Sequence, residues 1–163
     1  MILWPTVIWL ALHWATPRPP PPLTGAIDHI VIDKSDRMLV VYRDGRPLRA
    51  YNVALGFAPE GDKDRQGDGR TPEGLFIIDR RNAASRFHLS LGIDYPGPDD
   101  IARAAAGGYS PGGDIFIHGQ PQGVSGWFAV QGDWTEGCVA VSNAQIEELW
   151  RIAPVGTTVE IRP

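Results

Sequence analysis

The chemistry most readily available to this sequence is that of a thiol. The single cysteine, Cys138, lies in the segment 133–143 directly after Gly137, and twenty residues upstream an apolar run ends in His118 and Gly119. A cysteine attacks as the thiolate, so it needs a base or a cation that lowers its pKa from about 8.5. His118 is of the right type to accept that proton and return it to a leaving amine. Gly137 lets a substrate carbonyl approach backbone N–H groups near Cys138, which are placed to stabilise an oxyanion.

The alternative is that both residues are structural. A free cysteine is usually a small buried side chain that packs like alanine, and a histidine at a strand end often only forms a hydrogen bond. Two features of the sequence favour the catalytic interpretation. A glycine adjoins each residue, and the surroundings of Cys138 are polar and typical of a turn.

Length, charge and composition restrict what surrounds this pair. A chain of 163 residues suits one domain with a single hydrophobic core, and 19 glycines with 15 prolines indicate many turns and a β-rich fold. The net charge of −4 and the scattered Lys and Arg residues argue against nucleic acid as a partner. A single cysteine excludes an intramolecular disulfide and any zinc site built from several cysteines.

Hydrophobic patterning predicts the strands that must position the two residues. The dipeptide Asp44-Gly45 is a two-residue hairpin signal flanked by alternating apolar positions. Strands are expected at 27–33, 38–43, 46–55, 75–78, 87–91, 114–118, 139–141 and 158–161.

Two helices follow from their start and stop signals. The first begins at Asp99-Asp100 and stops at Gly107. The second begins where Ser142 and Gln145 would form a capping box, although Asn143 is an equally good cap by residue type. The second helix therefore anchors the strand that carries the cysteine, and we predict a mostly-β fold with two short helices.

The first fifteen residues are almost wholly apolar. This run is shorter than the ~20 residues of a membrane span and is typical of a secretory signal. No Lys or Arg precedes it, and Pro5 and His13 interrupt it, so a misassigned start or a buried segment is the alternative. We interpret residues 1–15 as a signal peptide or short membrane anchor, 16–24 as a stiff proline-rich linker, and 25–163 as the catalytic domain.

The segment 62–73 nearly fits a calcium-binding EF-hand loop. Oxygen-bearing side chains fall at loop positions 1, 3 and 5, with glycine at position 6 and glutamate at position 12. An EF-hand needs a helix on each side, whereas strands are predicted there, and Gly69 replaces the usual apolar residue at position 8. The four histidines show no short metal-ligand spacing either. We therefore predict no metal, and a solvated loop that leads into a Thr71-Pro72 turn on the rim of a cleft.

In order along the chain, His118-Gly119, Thr135-x-Gly137-Cys138 and Asn143 resemble the signature of the L,D-transpeptidase catalytic domain, the YkuD-like family. That signature is His-Gly, then a long loop, then Ser/Thr-x-Gly-Cys-x-Arg and an asparagine. The resemblance covers roughly residues 27 to 163. It includes the opening strand, the segment 69–74 and the closing segment 156–161.

The resemblance implies a mixed β-sandwich that acts in the periplasm or cell envelope on peptidoglycan stem peptides. Cys138 would attack the carbonyl of an L-centred residue, typically the diamino acid at stem position three, and expel the terminal D-alanine. His118 would be the general base and acid, oriented by the backbone carbonyl of Gly119. The thioester would pass to a second stem amine, to a murein-linked lipoprotein or to water. No metal or organic cofactor is implied, and a carbapenem is expected to acylate Cys138.

Two departures from the signature leave the acyl acceptor open. The arginine two residues after the cysteine is Ala140 here, and the histidine that often precedes Gly-Cys is Glu136. This pattern resembles a subgroup without that arginine, part of which is associated with hydrolysing links in murein, including the lipoprotein–murein bond. Transfer to an amine and transfer to water are therefore both candidates. A non-catalytic murein-binding module is a third, although the presence of both His118 and Cys138 argues against it.

Three further residues are candidate substrate contacts: Arg70, Trp134 and Thr135. For Arg70 the alternative is a solvated loop charge, and for Trp134 it is packing beneath the catalytic loop, where an aromatic ring could exclude water. Asp133 is considered as a hydrogen-bond partner of His118. We interpret Ser142-Asn143 as a helix cap.

Overall fold

The computed structural model describes residues 19–163, so the predicted signal or anchor at 1–15 lies outside the described residues. The strands are β1 His29–Asp33, β2 Met38–Arg43, β3 Arg46–Asn52, β4 Gly74–Ser85, β5 His88–Ile93, β6 Phe116–His118, β7 Val139–Ala140 and β8 Thr158–Arg162, and the helices are α1 Pro98–Gly107 and α2 Asn143–Ile152. The predicted mostly-β class with two short helices is confirmed. No helix within residues 19–163 is both long enough and apolar enough to cross a membrane.

All of these strands join one mixed sheet in the order β3-β2-β1-β8-β4-β5-β6-β7. The pairs β1–β8 and β6–β7 are parallel and the other neighbours are antiparallel. The two ends of the sheet meet, because Ala54, just beyond β3, exchanges backbone hydrogen bonds of 2.9 and 2.8 Å with Ala140 in β7. The segment that follows Cys138 is therefore fixed on both sides, by β6 and by the chain beyond β3.

Strand β4 is longer than the sequence predicted, because the strand expected at 75–78 continues to Ser85. Its first half pairs with β8 and its second half with β5. The second half is mostly exposed and polar, so it carries no hydrophobic alternation. Its arginine side chains pack against aromatic rings instead. The guanidinium of Arg80 lies 4.6 Å from the ring centre of Phe116, and that of Arg81 lies 3.9 Å from the ring centre of Trp150.

Helix α2 begins with the predicted capping box. Ser142 Oγ accepts from the Gln145 N–H at 3.2 Å, and Gln145 Oε1 accepts from the Ser142 N–H at 2.9 Å. Asn143 is not the cap. Its Oδ1 accepts from the Gln120 N–H and its Nδ2 donates to the Val124 carbonyl, both at 2.8 Å. The asparagine therefore attaches the loop after β6 to the start of α2.

The described part of the proline-rich segment, residues 19–24, is hydrogen bonded to the domain. Arg49 Nη2 donates to the Pro21 carbonyl at 2.7 Å, and the Leu23 N–H donates to Glu148 Oε1 at 2.8 Å. Arg49 and Glu148 are themselves ion-paired at 2.6 Å, and the Glu148 side chain is 5% exposed. An ion pair between β3 and α2, with its carboxylate buried, thus fixes where the chain enters the domain.

Candidate active site

The sheet brings His118 and Cys138 to the same face of two neighbouring strands. Parallel pairing of β6 with β7 aligns His118 with Ala140, and Ile117 with Val139. Residues aligned in parallel strands point to the same face, and so do residues two apart along an extended chain. Cys138 precedes Ala140 by two residues and therefore shares a face with His118, while Ile117 and Val139 turn into the hydrophobic core.

His118 is oriented by the residue that follows it, as the resemblance implied. Its Nδ1 lies 2.7 Å from the carbonyl oxygen of Gly119. A carbonyl oxygen can only accept, so Nδ1 carries the proton and Nε2 is left as the basic nitrogen. Burial lowers the pKa of His118, and the hydrogen bond to Gly119 opposes that shift. The imidazole is therefore neutral near pH 7 and is ready to accept a proton.

The thiol of Cys138 is also neutral at rest. Its sulfur accepts from the Phe116 N–H and donates to the Asp114 carbonyl, each at 3.4 Å. Burial raises the pKa of the Cys138 thiol above its ordinary value, and the Phe116 N–H opposes that shift. The lowered pKa of His118 and the raised pKa of Cys138 leave both groups of this pair neutral near pH 7, on the walls of one cavity.

The pH dependence of thiol alkylation tests this neutral pair. Because the thiol pKa is raised, the reaction of Cys138 with iodoacetamide should accelerate about tenfold per pH unit through pH 8.5, where an ordinary cysteine levels off. The urea-unfolded chain is the control and should follow the ordinary curve. A plateau in rate below pH 7 would instead indicate a preformed thiolate–imidazolium pair.

Thr135 shapes the turn that presents the thiol. Its Oγ1 donates to the Cys138 carbonyl at 2.6 Å and accepts from the Gly137 N–H at 3.1 Å. Thr135 was predicted as a substrate contact; it does line the cavity around the thiol, but it is 4% exposed and its hydroxyl is engaged within the turn. No hydrogen bond among residues 19–163 uses the backbone N–H of Cys138, which leaves that group available for an oxyanion.

Gly137 is held in a conformation that only glycine adopts easily, with φ at +136°. A Cβ at this position would lie 2.7 Å from the carbonyl oxygen of Arg70. Arg70 therefore meets the catalytic turn through its backbone. Its exposed side chain donates to the Asp62 carbonyl at 3.2 Å and is not among the groups that line the cavity, so the structure does not place it where the sequence predicted.

The thiol and the imidazole open into one cavity of about 760 Å³. Inside it His118 lies between two aromatic rings. Phe87 stacks on the imidazole at a ring-centre distance of 4.4 Å, and Trp134 meets it edge-on at 5.8 Å. Trp134 is a residue that the sequence motif indicated, whereas Phe87 is not, because an aromatic residue at a predicted strand start carries no signal of what it stacks on.

The indole N–H of Trp134 is fully covered and has no hydrogen-bond partner within the described structure. The ring, rather than the N–H, is therefore the part that matters. Trp134→Phe should retain most of the activity and stability, since it keeps an aromatic ring and removes an unsatisfied donor. Trp134→Ala should lower both kcat and the melting temperature, because it uncovers one side of His118. Steady-state kinetics and thermal melts of the two variants check this, and equal losses would contradict it.

Asp133, considered from the sequence as a partner of His118, is engaged elsewhere. It forms an ion pair with Arg37 at 3.0 Å, and its Oδ1 accepts from the Leu55 N–H at 2.9 Å. The imidazole nitrogen that needs orienting is instead held by the Gly119 carbonyl.

The loop 62–73 forms part of the cavity wall, as predicted for a cleft rim, through Lys63, Gln66 and Gly67. Its acidic side chains are bound to groups of the protein itself. The ammonium of Lys63, 3% exposed, donates to Asp68 Oδ1 at 2.7 Å, and the ordinary pKa of that carboxyl is lowered to about 2 against the opposing effect of burial. Within residues 19–163 no cluster of three or more His, Cys, Asp or Glu side chains has the arrangement of a metal site.

Comparison with known proteins identifies the family of the chain. The family model of the L,D-transpeptidase catalytic domain (YkuD) matches residues 27–161. The chain is 27% identical over 135 residues to a protein of Escherichia coli K12 named "Putative L,D-transpeptidase YafK", an alignment that covers 79% of this chain and 48% of that protein. The chain thus spans about half the length of the curated relative that it matches.

Solved structures share the fold. The helical cell shape determining protein Pgp2 from Campylobacter jejuni superposes with a TM-score of 0.66 at 24% identity, over 85% of this chain and 48% of that one. An L,D-transpeptidase from Xylanimonas cellulosilytica gives a TM-score of 0.57 at 22% identity, over 89% of this chain and 65% of that one. The predicted fold class, the mixed β architecture of this type with two short helices, is confirmed.

Proposed function

The chain belongs to the L,D-transpeptidase catalytic domain family, and from this premise we propose that it is a cysteine acyltransferase acting on peptidoglycan stem peptides in the cell envelope. The observation that carries the proposal is that the thiol of Cys138 and the imidazole of His118 line one cavity, with the tautomer of the histidine set by the Gly119 carbonyl. Residues 1–15 would export the domain or anchor it to the membrane.

The reaction follows from the protonation states. Cys138 Sγ attacks the carbonyl carbon of the L-centred residue while its proton passes to His118 Nε2. The C–N bond to D-alanine then breaks, and the imidazolium returns the proton to the leaving amine. In the second half, an amine or a water attacks the thioester, loses its proton to His118, and releases the thiol.

Charge develops on the carbonyl oxygen in both halves of the reaction. The Gly137 N–H is already bound to Thr135, so the backbone donor that we assign to the oxyanion is the N–H of Cys138, which has no hydrogen-bond partner among residues 19–163. A preorganised donor of this kind stabilises the transition state more than the substrate.

A second candidate is the same thioester discharged to water, with murein or murein–lipoprotein links as substrates. Two observations favour it. Ala140 supplies no guanidinium beside the thiol strand, and the exposed side chain of Glu136 is on the cavity that holds Cys138, where a carboxylate is able to orient a water.

The test is product analysis with the purified protein and disaccharide tetrapeptides, read by mass spectrometry beside Cys138→Ala. A crosslinked dimer that has lost one D-alanine would establish transpeptidation, and tripeptide alone would establish hydrolysis. Silence on tetrapeptides directs the assay to murein-linked lipoprotein. Absence of turnover on both, together with no carbapenem adduct on Cys138, would overturn the proposal.

A further inference from the structure

We propose that Arg37 is a positioning residue of this active site, which acts by holding Asp133 and, through it, the segment that carries Trp134, Thr135 and Cys138. The inference rests on the proposed function for its effect on turnover. The Arg37–Asp133 ion pair itself lies outside the cavity of the thiol and starts from the turn between β1 and β2.

The first support is a paired-donor ion pair that joins segments distant in sequence. Arg37 Nε donates to both carboxylate oxygens of Asp133, at 3.3 and 3.0 Å, and Nη2 donates to Oδ2 at 3.0 Å. Nη1 donates to the Lys34 carbonyl, which fixes the guanidinium relative to its own turn. Asp133 Oδ1 also accepts from the Leu55 N–H at 2.9 Å. The carboxylate thus ties the β1–β2 turn to the chain beyond β3.

The second support is the backbone of Arg37. Its φ of +52° lies in the left-handed region, where glycine or asparagine is the usual residue. The turn alone would favour glycine at this position. Its carbonyl accepts from the Val53 N–H at 2.9 Å, which holds the residue in this conformation. A strained residue that keeps a long cationic side chain indicates a role for that side chain.

The third support is that Asp133 lies at the start of the segment that carries Trp134, Thr135 and Cys138. Trp134 comes next and covers His118, while the Thr135 N–H donates to the Leu55 carbonyl at 3.1 Å. Asp133 and Thr135, on either side of Trp134 in the sequence, are therefore both hydrogen bonded to the backbone of Leu55. Thr135 in turn holds the Cys138 carbonyl at 2.6 Å. A shift of Asp133 is transmitted to both members of the thiol–imidazole pair.

The fourth support is where the guanidinium lies. Arg37 and Ala140 both line a second cavity of about 500 Å³, separate from that of the thiol. The family signature has arginine at the position of Ala140, two residues after the cysteine. In this chain Ala140 stands at that position, and the arginine that lines the same cavity comes from the β1–β2 turn.

The experiment compares Arg37→Ala and Arg37→Lys with a matched surface pair. Arg162 binds Glu160 through two donors, at 2.7 and 3.0 Å, on β8, so Arg162→Ala is the control for loss of such a pair. Arg37→Ala should lower kcat at least tenfold, towards the ~10²-fold that a displacement of about 1 Å can cost, with KM little changed. Arg37→Lys should recover only part of the loss, because an ammonium cannot reproduce the paired donors.

Two further measurements separate positioning from general destabilisation. Asp133→Asn should match Arg37→Ala, and the double variant should lose no more than either alone. In the folded protein, the NMR shifts of the His118 ring protons report its neighbours Phe87 and Trp134. They should move in Arg37→Ala and stay in place in Arg162→Ala.

The NMR readout stands even if the substrate proposal fails, since it needs no turnover. Unchanged His118 shifts in Arg37→Ala would overturn the positioning role regardless of activity. If the natural chain is active, a kcat for Arg37→Ala equal to that of Arg162→Ala would overturn it as well. If the natural chain shows no turnover and forms no carbapenem adduct on Cys138, the proposed function is overturned. The NMR shifts of His118 then decide the role of Arg37 by themselves.

Discussion

His118→Asn is expected to lower the rate of acyl-enzyme formation by about 10²–10⁴-fold, the usual contribution of a general base. The asparagine amide can still donate to the Gly119 carbonyl, so the local backbone should hold. What it lacks is the basic Nε2 that takes the proton of Cys138 in the proposed mechanism. Because substrate contacts are retained, the loss should appear in kcat rather than KM.

The measurement is the rate of covalent adduct formation on Cys138, followed by intact-protein mass spectrometry. His29→Ala is the control, since His29 lies on β1, is partly exposed and pairs with Glu160. An adduct rate in His118→Asn within a few-fold of the natural chain would show that the proton goes elsewhere.

The pH dependence of kcat/KM in the natural chain follows from the pKa shifts of the same two groups. Burial lowers the pKa of His118 and raises the pKa of the Cys138 thiol. The reactive form has both groups neutral, so kcat/KM should stay constant across neutral pH. It should fall on the acid side only below the ordinary histidine value of about 6.5. A loss of activity that begins at or above that value would contradict the burial effect.

Gly137→Ala is the second change expected to abolish most of the activity. At φ of +136° an alanine is strained by roughly 1–3 kcal/mol, and its Cβ would lie 2.7 Å from the Arg70 carbonyl oxygen. Neither the alanine Cβ nor the Arg70 carbonyl oxygen is the end of a flexible side chain that could turn aside. The turn between Thr135 and Cys138 must therefore move. A movement of about 1 Å at the nucleophile is enough for a loss on the order of 10²-fold in kcat.

Gly123→Ala provides the control for backbone strain alone. Gly123 also has a positive φ, of +91°, but nothing lies within 4 Å of its added Cβ. Both variants should lose some stability in thermal melts, whereas only Gly137→Ala should lose turnover. Comparable kcat values in the two variants would show that the close approach to Arg70 does not matter.

Short-range signals in the sequence were sufficient for several elements. Asp44-Gly45 predicted the hairpin, and both residues have positive φ, of +50° and +74°. Ser142 and Gln145 predicted the start of α2. The family resemblance, carried in part by His118-Gly119, implied how the imidazole is held. In each case the interacting groups lie within three residues of one another, so the local sequence is sufficient to predict the interaction.

Hydrophobic alternation was less complete as a guide. It located the strands whose side chains enter the core, but it ended β4 at 78 because residues 79–85 are mostly polar, mostly exposed and without a large apolar side chain. Backbone pairing with β5 and the arginine–aromatic contacts of Arg80 and Arg81 hold that half of the strand. A strand stabilised in this way leaves no periodic pattern in its own residues.

The sequence by itself determined the family and the mostly-β class, and it predicted Cys138 as the nucleophile and His118 as its base, because these depend on residue type and local order. Tertiary structure alone decided which groups surround the site. Phe87 stacks on the imidazole, Arg70 approaches Gly137 through its backbone and not its side chain, and Arg37 binds Asp133. Arg37 and Asp133 are 96 positions apart, joined only when β1, β3 and the thiol loop converge. Contacts of that range depend on chain topology, which no local pattern of residue types encodes.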